Sequence, residues 1–175
     1  VYAIESSKYL VFSYKVFKDS YNLGFLGLTH PVAELELERR LIEKIKLFML
    51  ELGRGFAFIG NQYRLEYNGK EYYVDMLFSN RKLNCLVAVD LKIGEFKSEY
   101  VGKMNMYLSL LDKLEKEERE NQSIGVILCA EKDHLDVELA LQDVNKPIAV
   151  SDYELIFPKK ELQEMVMSEM KLIQS

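Results

Sequence analysis

Apolar positions along the chain change period several times, and each change marks a new element. Tyr9 to Phe17 (Tyr-Leu-Val-Phe-Ser-Tyr-Lys-Val-Phe) is aromatic and β-branched, which predicts an extended arm. The glycines and proline of Leu23-Gly-Phe-Leu-Gly-Leu-Thr-His-Pro31 predict a loop. From Glu34 to Gly53 the period lengthens to three and four residues. Leu37, Leu41, Ile45, Phe48 and Leu52 then form one helical stripe, with Gly53 and Gly55 as stop signals. Glu38 stands on the neighbouring row with Ile42, Ile45 and Met49, an unusual place for a carboxylate.

A three-strand meander follows. Phe56 to Tyr67 reads as one strand, Asn68-Gly69 is a strong hairpin signal, Lys70 to Phe78 returns, and Ser79 to Lys82 turns into Leu83 to Ile93. Ser98 to Glu118 predicts a helix with Met104, Tyr107, Leu108, Leu111 and Leu114 on one face. The continuous apolar run Ile124 to Ala130 suits a strand covered on both faces. His134 to Leu141 reads as a short helix, Pro147 to Val150 as a short strand, and a last amphipathic helix begins at Pro158. This order implies an α/β (α+β) fold, with a mixed central sheet flanked by helices.

Bulk composition narrows the picture only a little. With 175 residues, 49% of them hydrophobic, the chain can bury one sizeable core. We expect an arm over residues 1–30 and one domain over 31–175, and the start at Val1 reads as a connection to an upstream domain absent from this chain. No window approaches the ~18–20 apolar residues that a membrane span needs, so a soluble cytoplasmic protein is expected. Cys85 and Cys129 lie inside apolar runs without metal-ligand spacing and read as small buried hydrophobes. His30 and His134 lack partners at ligand or triad spacing. A net charge of −5 argues against coating nucleic acid by bulk attraction, but leaves room for a local phosphate site built around metal-binding carboxylates.

Two aspartates carry the candidate chemistry. Asp90 and Lys92 are two apart on a strand and project from the same face, while Val89, Leu91 and Ile93 point oppositely. Asp75 lies on the preceding strand, where the hairpin register can bring it beside Asp90 at roughly 5 Å between Cβ atoms. Carboxylates that close repel unless a proton or cation sits between them, and hard oxygen ligands suit Mg²⁺ or Mn²⁺. Glu38 from the first helix can complete the shell or orient a water, and Gln62, in Gly60-Asn-Gln-Tyr-Arg64, is a polar neighbour from the strand beside Asp75. On spacing alone a solvated surface or an ordinary cross-strand ion pair explains Asp90 and Lys92 equally well. Glu38 also suits a helix N-terminus, where negative charge is favoured.

Longer stretches are more specific. Glu38-Arg-Arg-Leu-Ile, Glu51-Leu-Gly-Arg-Gly-Phe-Ala-Phe-Ile-Gly-Asn-Gln-Tyr-Arg-Leu65, Val74-Asp-Met-Leu-Phe78, Leu86-Val-Ala-Val-Asp-Leu-Lys-Ile-Gly-Glu-Phe-Lys97, Glu99-Tyr-Val-Gly-Lys-Met-Asn105 and Ile127-Leu-Cys-Ala-Glu-Lys132 together resemble the YhcG-type PDDEXK nuclease domain of bacteria, from about Glu34 to Pro158. The resemblance implies a restriction-endonuclease-like αβββαβ core and metal-dependent hydrolysis of DNA phosphodiester bonds, in repair, recombination or defence. It further implies catalytic roles for Asp75, Asp90, Lys92 and Glu38, and Gln62 joins this candidate catalytic set as their polar neighbour. The metal, Mg²⁺ or Mn²⁺, would be held by Asp75, Asp90, Glu38 and Leu91. Lys92, Lys97, Lys103 and Arg64 are candidate phosphate contacts, while Glu99 and Lys103 have the spacing to pair with each other. Asn105 and Tyr107 are candidates to approach the site or to serve the helix. Aspartate at 90 stands where the superfamily name has glutamate, one methylene shorter. Expected partners are duplex or branched DNA, the upstream domain, and a second copy of the chain paired through the aromatic arm. The competing expectation is a non-catalytic DNA-binding or assembly module on the same scaffold.

Overall fold

A computed structural model of the chain describes residues 16–155 together with the helical positions Met167, Met170, Lys171 and Ile173. The last helix, expected from Pro158, otherwise lies outside the described residues, as does the arm at Tyr9 to Phe17 except for Val16 and Phe17.

Among the described residues six strands form one mixed sheet, in the order β1 (Ser20–Asn22), β6 (Ile148–Glu154), β5 (Ile124–Cys129), β4 (Cys85–Leu91), β3 (Lys70–Asn80), β2 (Phe56–Tyr67). β2 (Phe56–Tyr67), β3 (Lys70–Asn80) and β4 (Cys85–Leu91) are the antiparallel meander. Its hairpin turns through Asn68 and Gly69 at φ 53° and 72°, left-handed values that suit this residue pair at a tight turn. β5 (Ile124–Cys129) and β6 (Ile148–Glu154) add parallel to β4, and every residue of β4 and β5 is buried.

Parallel strands need crossovers. α3 (Glu99–Leu114) joins β4 to β5 and α4 (His134–Leu141) joins β5 to β6. Both crossovers pack on the same face, burying Val101, Met104, Leu108, Leu111, Val137 and Leu141 against Ala88, Ile127 and Val150. Gly125 lets α3 sit close, because a Cβ there would meet the Met104 side chain at 2.5 Å. The other face is covered by α1 (Glu34–Glu43) and α2 (Ile45–Leu52), through Leu37, Leu41, Phe48 and Leu52. Phe78 centres an aromatic cluster there with Phe48, Phe56 and Phe58, at centroid distances of 5.4–6.2 Å. The expected α/β fold, a mixed sheet between helical layers, is therefore the observed one.

Five details differ from the sequence reading. The third strand, expected to reach Ile93, ends at Leu91, although Lys92 N still bonds Leu128 O. The single helix expected from Glu34 to Gly53 is bent at Lys44 (φ −113°, ψ 38°). Main-chain bonds continue across the bend, Lys44 N to Arg40 O and Phe48 N to Lys44 O, while Lys44 Nζ is tied to the Phe25 carbonyl. Leu114, expected on the apolar face, is 41% exposed at the end of α3. β6 runs on to Glu154, past the Val150 suggested by its apolar run. Its outer partner, β1 (Ser20–Asn22), is a three-residue parallel strand too short to show a period.

Among the described residues no helix is long and apolar enough to cross a membrane. Cys85 and Cys129 are both buried, as expected of small apolar side chains. His30 sits beside Thr29 in the loop before α1, and His134 pairs with Glu138 on the exposed side of α4.

Candidate active site

The site lies where β3 and β4 part. Their ladder ends at Met76 and Val89, and one step further the register sets Asp75 opposite Asp90. β4 continues beside β5, so Leu91 has lost β3 as a partner but must still bond its amide. The Asp75 side chain takes over, with Oδ2 accepting from Leu91 N at 2.9 Å. A strand residue directs its N–H and C=O to the same edge, so the Leu91 carbonyl also points into the fork.

Asp90 is 3% exposed, and its Oδ2 has no hydrogen-bond partner among the described residues. Burial, and then the Asp75 carboxyl beside it, push its pKa from 3.8 up to about 7, against the pull of Lys92 and Lys103. Lys92 Nζ stands 3.8 Å from that unpartnered oxygen, too far for a hydrogen bond and close enough for strong attraction. The Lys92 ammonium also lies over the Tyr100 ring, 4.7 Å from its centroid.

Glu38 enters from α1 and is 5% exposed. Gln62 Nε2 donates to its Oε2 at 2.8 Å and Asn61 Nδ2 to its Oε1 at 3.3 Å. The same Gln62 nitrogen reaches Asp75 Oδ1 at 3.3 Å, so one amide bridges the helix glutamate to the strand aspartate. Burial raises the Glu38 pKa and nearby Asp75 adds to it, while the two amides oppose the shift. Gln62 adopts a left-handed φ of 46°, just after a register shift between Phe58 and Gly60. The left-handed conformation of Gln62 breaks the alternation and lets Asn61 and Gln62, adjacent in sequence, both serve Glu38. Strict period two would send them to opposite faces, which hides Asn61 from a sequence reading.

The other candidates divide. Lys103, on α3, lies 5.6 Å from the centroid of the Tyr107 ring and acts electrostatically on both aspartates. Lys97 is exposed immediately before α3. Arg64 is drawn away into exposed pairs with Glu66 and Glu71. Asn105 lines a separate cleft of about 410 Å³ between α3 and the loop before β6, with Ser98, Asp143 and Lys146.

Two adjacent carboxylates, one oxygen without a donor and a main-chain carbonyl aimed at the same gap match the hard oxygen set of Mg²⁺ or Mn²⁺. Among the described residues no three His, Cys, Asp or Glu side chains form a metal cluster. The oxygens that would be available to such an ion at the fork are those of Asp75 and Asp90 and the Leu91 carbonyl.

Comparison with known proteins bears on the fold and the family. A solved complex of EndoMS with dsDNA is similar at TM-score 0.50 and 15% identity, over 75% of this chain and 48% of that one, a likeness of fold alone. A repair endonuclease from Pyrococcus abyssi gives TM-score 0.46 at 14% identity, over 75% of this chain and 50% of that one. YhcG of Escherichia coli (strain K12) is 39% identical over 144 residues, which cover 82% of this chain and 38% of the relative. The chain thus spans well under half of that protein's length. The YhcG PDDEXK nuclease domain model matches residues 14–170, and the chain belongs to that family.

Proposed function

We propose that this domain is a Mg²⁺- or Mn²⁺-dependent endodeoxyribonuclease that hydrolyses DNA phosphodiester bonds. The observation that carries the reading is Asp90 Oδ2, a buried carboxylate oxygen without a donor, facing Asp75 and Lys92 at the open end of two strands. A buried charge left this way is costly for folding, and sites that keep such costs are characteristically functional.

Asp75, Asp90 and the Leu91 carbonyl would hold the ion. When bound, it supplies neutralising charge at the scissile phosphate and lowers the pKa of water. The remaining work falls to the chain. Lys92 holds its ammonium at the mouth of the fork, where it neutralises charge gathering on the phosphate oxygens or orients the attacking water. Leu91 N–H and Gln62 fix the two oxygens of Asp75 in direction, and Glu38 fixes Gln62. Lys103 and Lys97 attract the phosphate backbone into an otherwise acidic molecule.

The substrate is duplex or branched DNA, and the setting is repair, recombination or defence in a bacterial cytoplasm. An upstream domain would supply affinity, and two copies acting together would cut both strands. The test is cleavage of labelled linear, supercoiled, single-stranded and branched DNA with Mg²⁺ or Mn²⁺, comparing the native chain with Asp90→Ala and Lys92→Ala. Cutting that both variants lose supports the reading. An intact chain that binds DNA without cutting, with the upstream region restored, replaces it with a binding module.

A further inference from the structure

The main chain at Lys92 is fixed from several sides. Lys92 N donates to Leu128 O at 2.8 Å, the Tyr153 hydroxyl donates to Lys92 O at 2.5 Å, and Ile93 N donates to Glu34 Oε1 at 3.3 Å. Beyond it, Ala130 N bonds Gly94 O and Phe96 N bonds Glu131 O, laying the segment along the end of β5. Nothing in this frame decides where the four-carbon side chain puts its ammonium. The nearest carboxylate oxygen is 3.8 Å away, beyond hydrogen-bond reach, so Asp90 attracts the ammonium without fixing its direction.

A second contact does fix it. Tyr100, in the first turn of α3, presents its ring at 4.7 Å to Lys92 Nζ, within the range at which a ring quadrupole holds a cation. That ring is itself set by buried Phe96, which meets it edge-on at 6.4 Å and an interplanar angle of 89°. The lysine side chain is only 13% exposed, and partial desolvation strengthens such a contact.

We infer that Tyr100 is a positioning residue for Lys92, acting through its ring face, with Phe96 as its support. The inference rests on the nuclease reading for its catalytic consequence, but the placement of the ammonium is measurable without turnover. The face of the ring does the work, so Tyr100→Phe preserves the function and Tyr100→Leu removes it at similar apolar volume.

The experiment pairs proton NMR of the Lys92 ε-methylene, assigned by loss of its signal in Lys92→Arg, with cleavage kinetics in Mn²⁺. Upfield ring-current shifts are expected in the native chain and in Tyr100→Phe, and their loss in Tyr100→Leu. With the shift, kcat falls about tenfold in Tyr100→Leu while KM holds, and Tyr100→Phe restores it. Unshifted methylene protons in the native chain overturn the inference, and so does a Tyr100→Leu variant that loses the shift but keeps kcat. A native chain that shows the ring-current shift but cuts no DNA defeats the nuclease reading and the catalytic consequence together, while the lysine's placement stands.

Discussion

Two groups of charge in this molecule are built on opposite terms. On the outer side of α1, Glu36, Arg39, Arg40 and Glu43 form an exposed lattice of i,i+3 and i,i+4 pairs in which each charge has a partner. At the fork of β3 and β4, Asp90 is buried, Asp75 and Lys92 beside it are partly buried, and one Asp90 oxygen goes without a donor. Arg39 and Arg40 hold the Glu36 carboxyl down at about 2, whereas burial beside Asp75 drives Asp90 up to about 7. Acid groups are thus stabilised as anions where nothing depends on them and destabilised where chemistry is proposed. Well-made ion pairs are therefore a poor guide to the working part of this surface, and an unsatisfied buried one is a good guide.

The largest effect expected from this contrast is on turnover. Asp90→Ala should lower kcat by about 10³-fold in the DNA cleavage assay while leaving the protein folded. Comparable cutting by the variant would make the fork an ordinary piece of sheet. Stability should move the other way. The ordinary Asp value is 3.8 and the folded value about 7, so the fold binds an extra proton between them. The stability linked to that proton is full below about pH 4 and is lost as the pH rises through 7, on the order of 4 kcal/mol over the window. Metal-free melts from pH 4 to 8 should show this decline in the native chain and a flatter profile in Asp90→Asn; equal slopes would mean that Asp90 does not cause the decline.

A smaller change is expected at Gln62. Replacing it with Ala removes the amide between Glu38 and Asp75 yet keeps a side chain at positive φ, where glycine is easier by about 1 kcal/mol. Gln62→Gly should therefore melt above Gln62→Ala while both lose roughly tenfold in kcat. A Gly variant with full activity would show that the backbone conformation, rather than the bridge, is what matters. The smallest effect belongs to the exposed lattice. Arg39→Ala should leave melting temperature and cleavage where they were, and a clear drop in either would erase the distinction between the two groups.

The legible parts of the fold were those encoded locally. The hairpin turned at Asn68-Gly69 because both positions tolerate left-handed φ, and β4 and β5 were written as unbroken apolar runs because both faces are covered. Asp90 and Lys92 were visible through the two-residue period, and Asp75 through the register of the meander. Long-range dependence hid the rest. β1 is a strand only because Asp152 to Glu154 lie beside it, more than a hundred residues later. Asn61 joins Glu38 only because alternation fails at Gln62, and Tyr100 meets Lys92 only after the segment from Gly94 to Phe96 has been laid against β5.

The small strand β1 has a practical meaning. Besides its three paired residues, Leu23 N bonds Glu154 O, Asp152 N bonds Asp19 O, and Ser151 Oγ bonds Lys18 O, so residues 18–23 close the outer side of β6. A version of the domain trimmed to begin at Leu23 would keep every residue of the fork and lose this cover. The uncovered strand would present its free N–H and C=O groups to water and to neighbouring molecules alike, so clumping on storage, ahead of any loss of chemistry, is the failure such trimming invites.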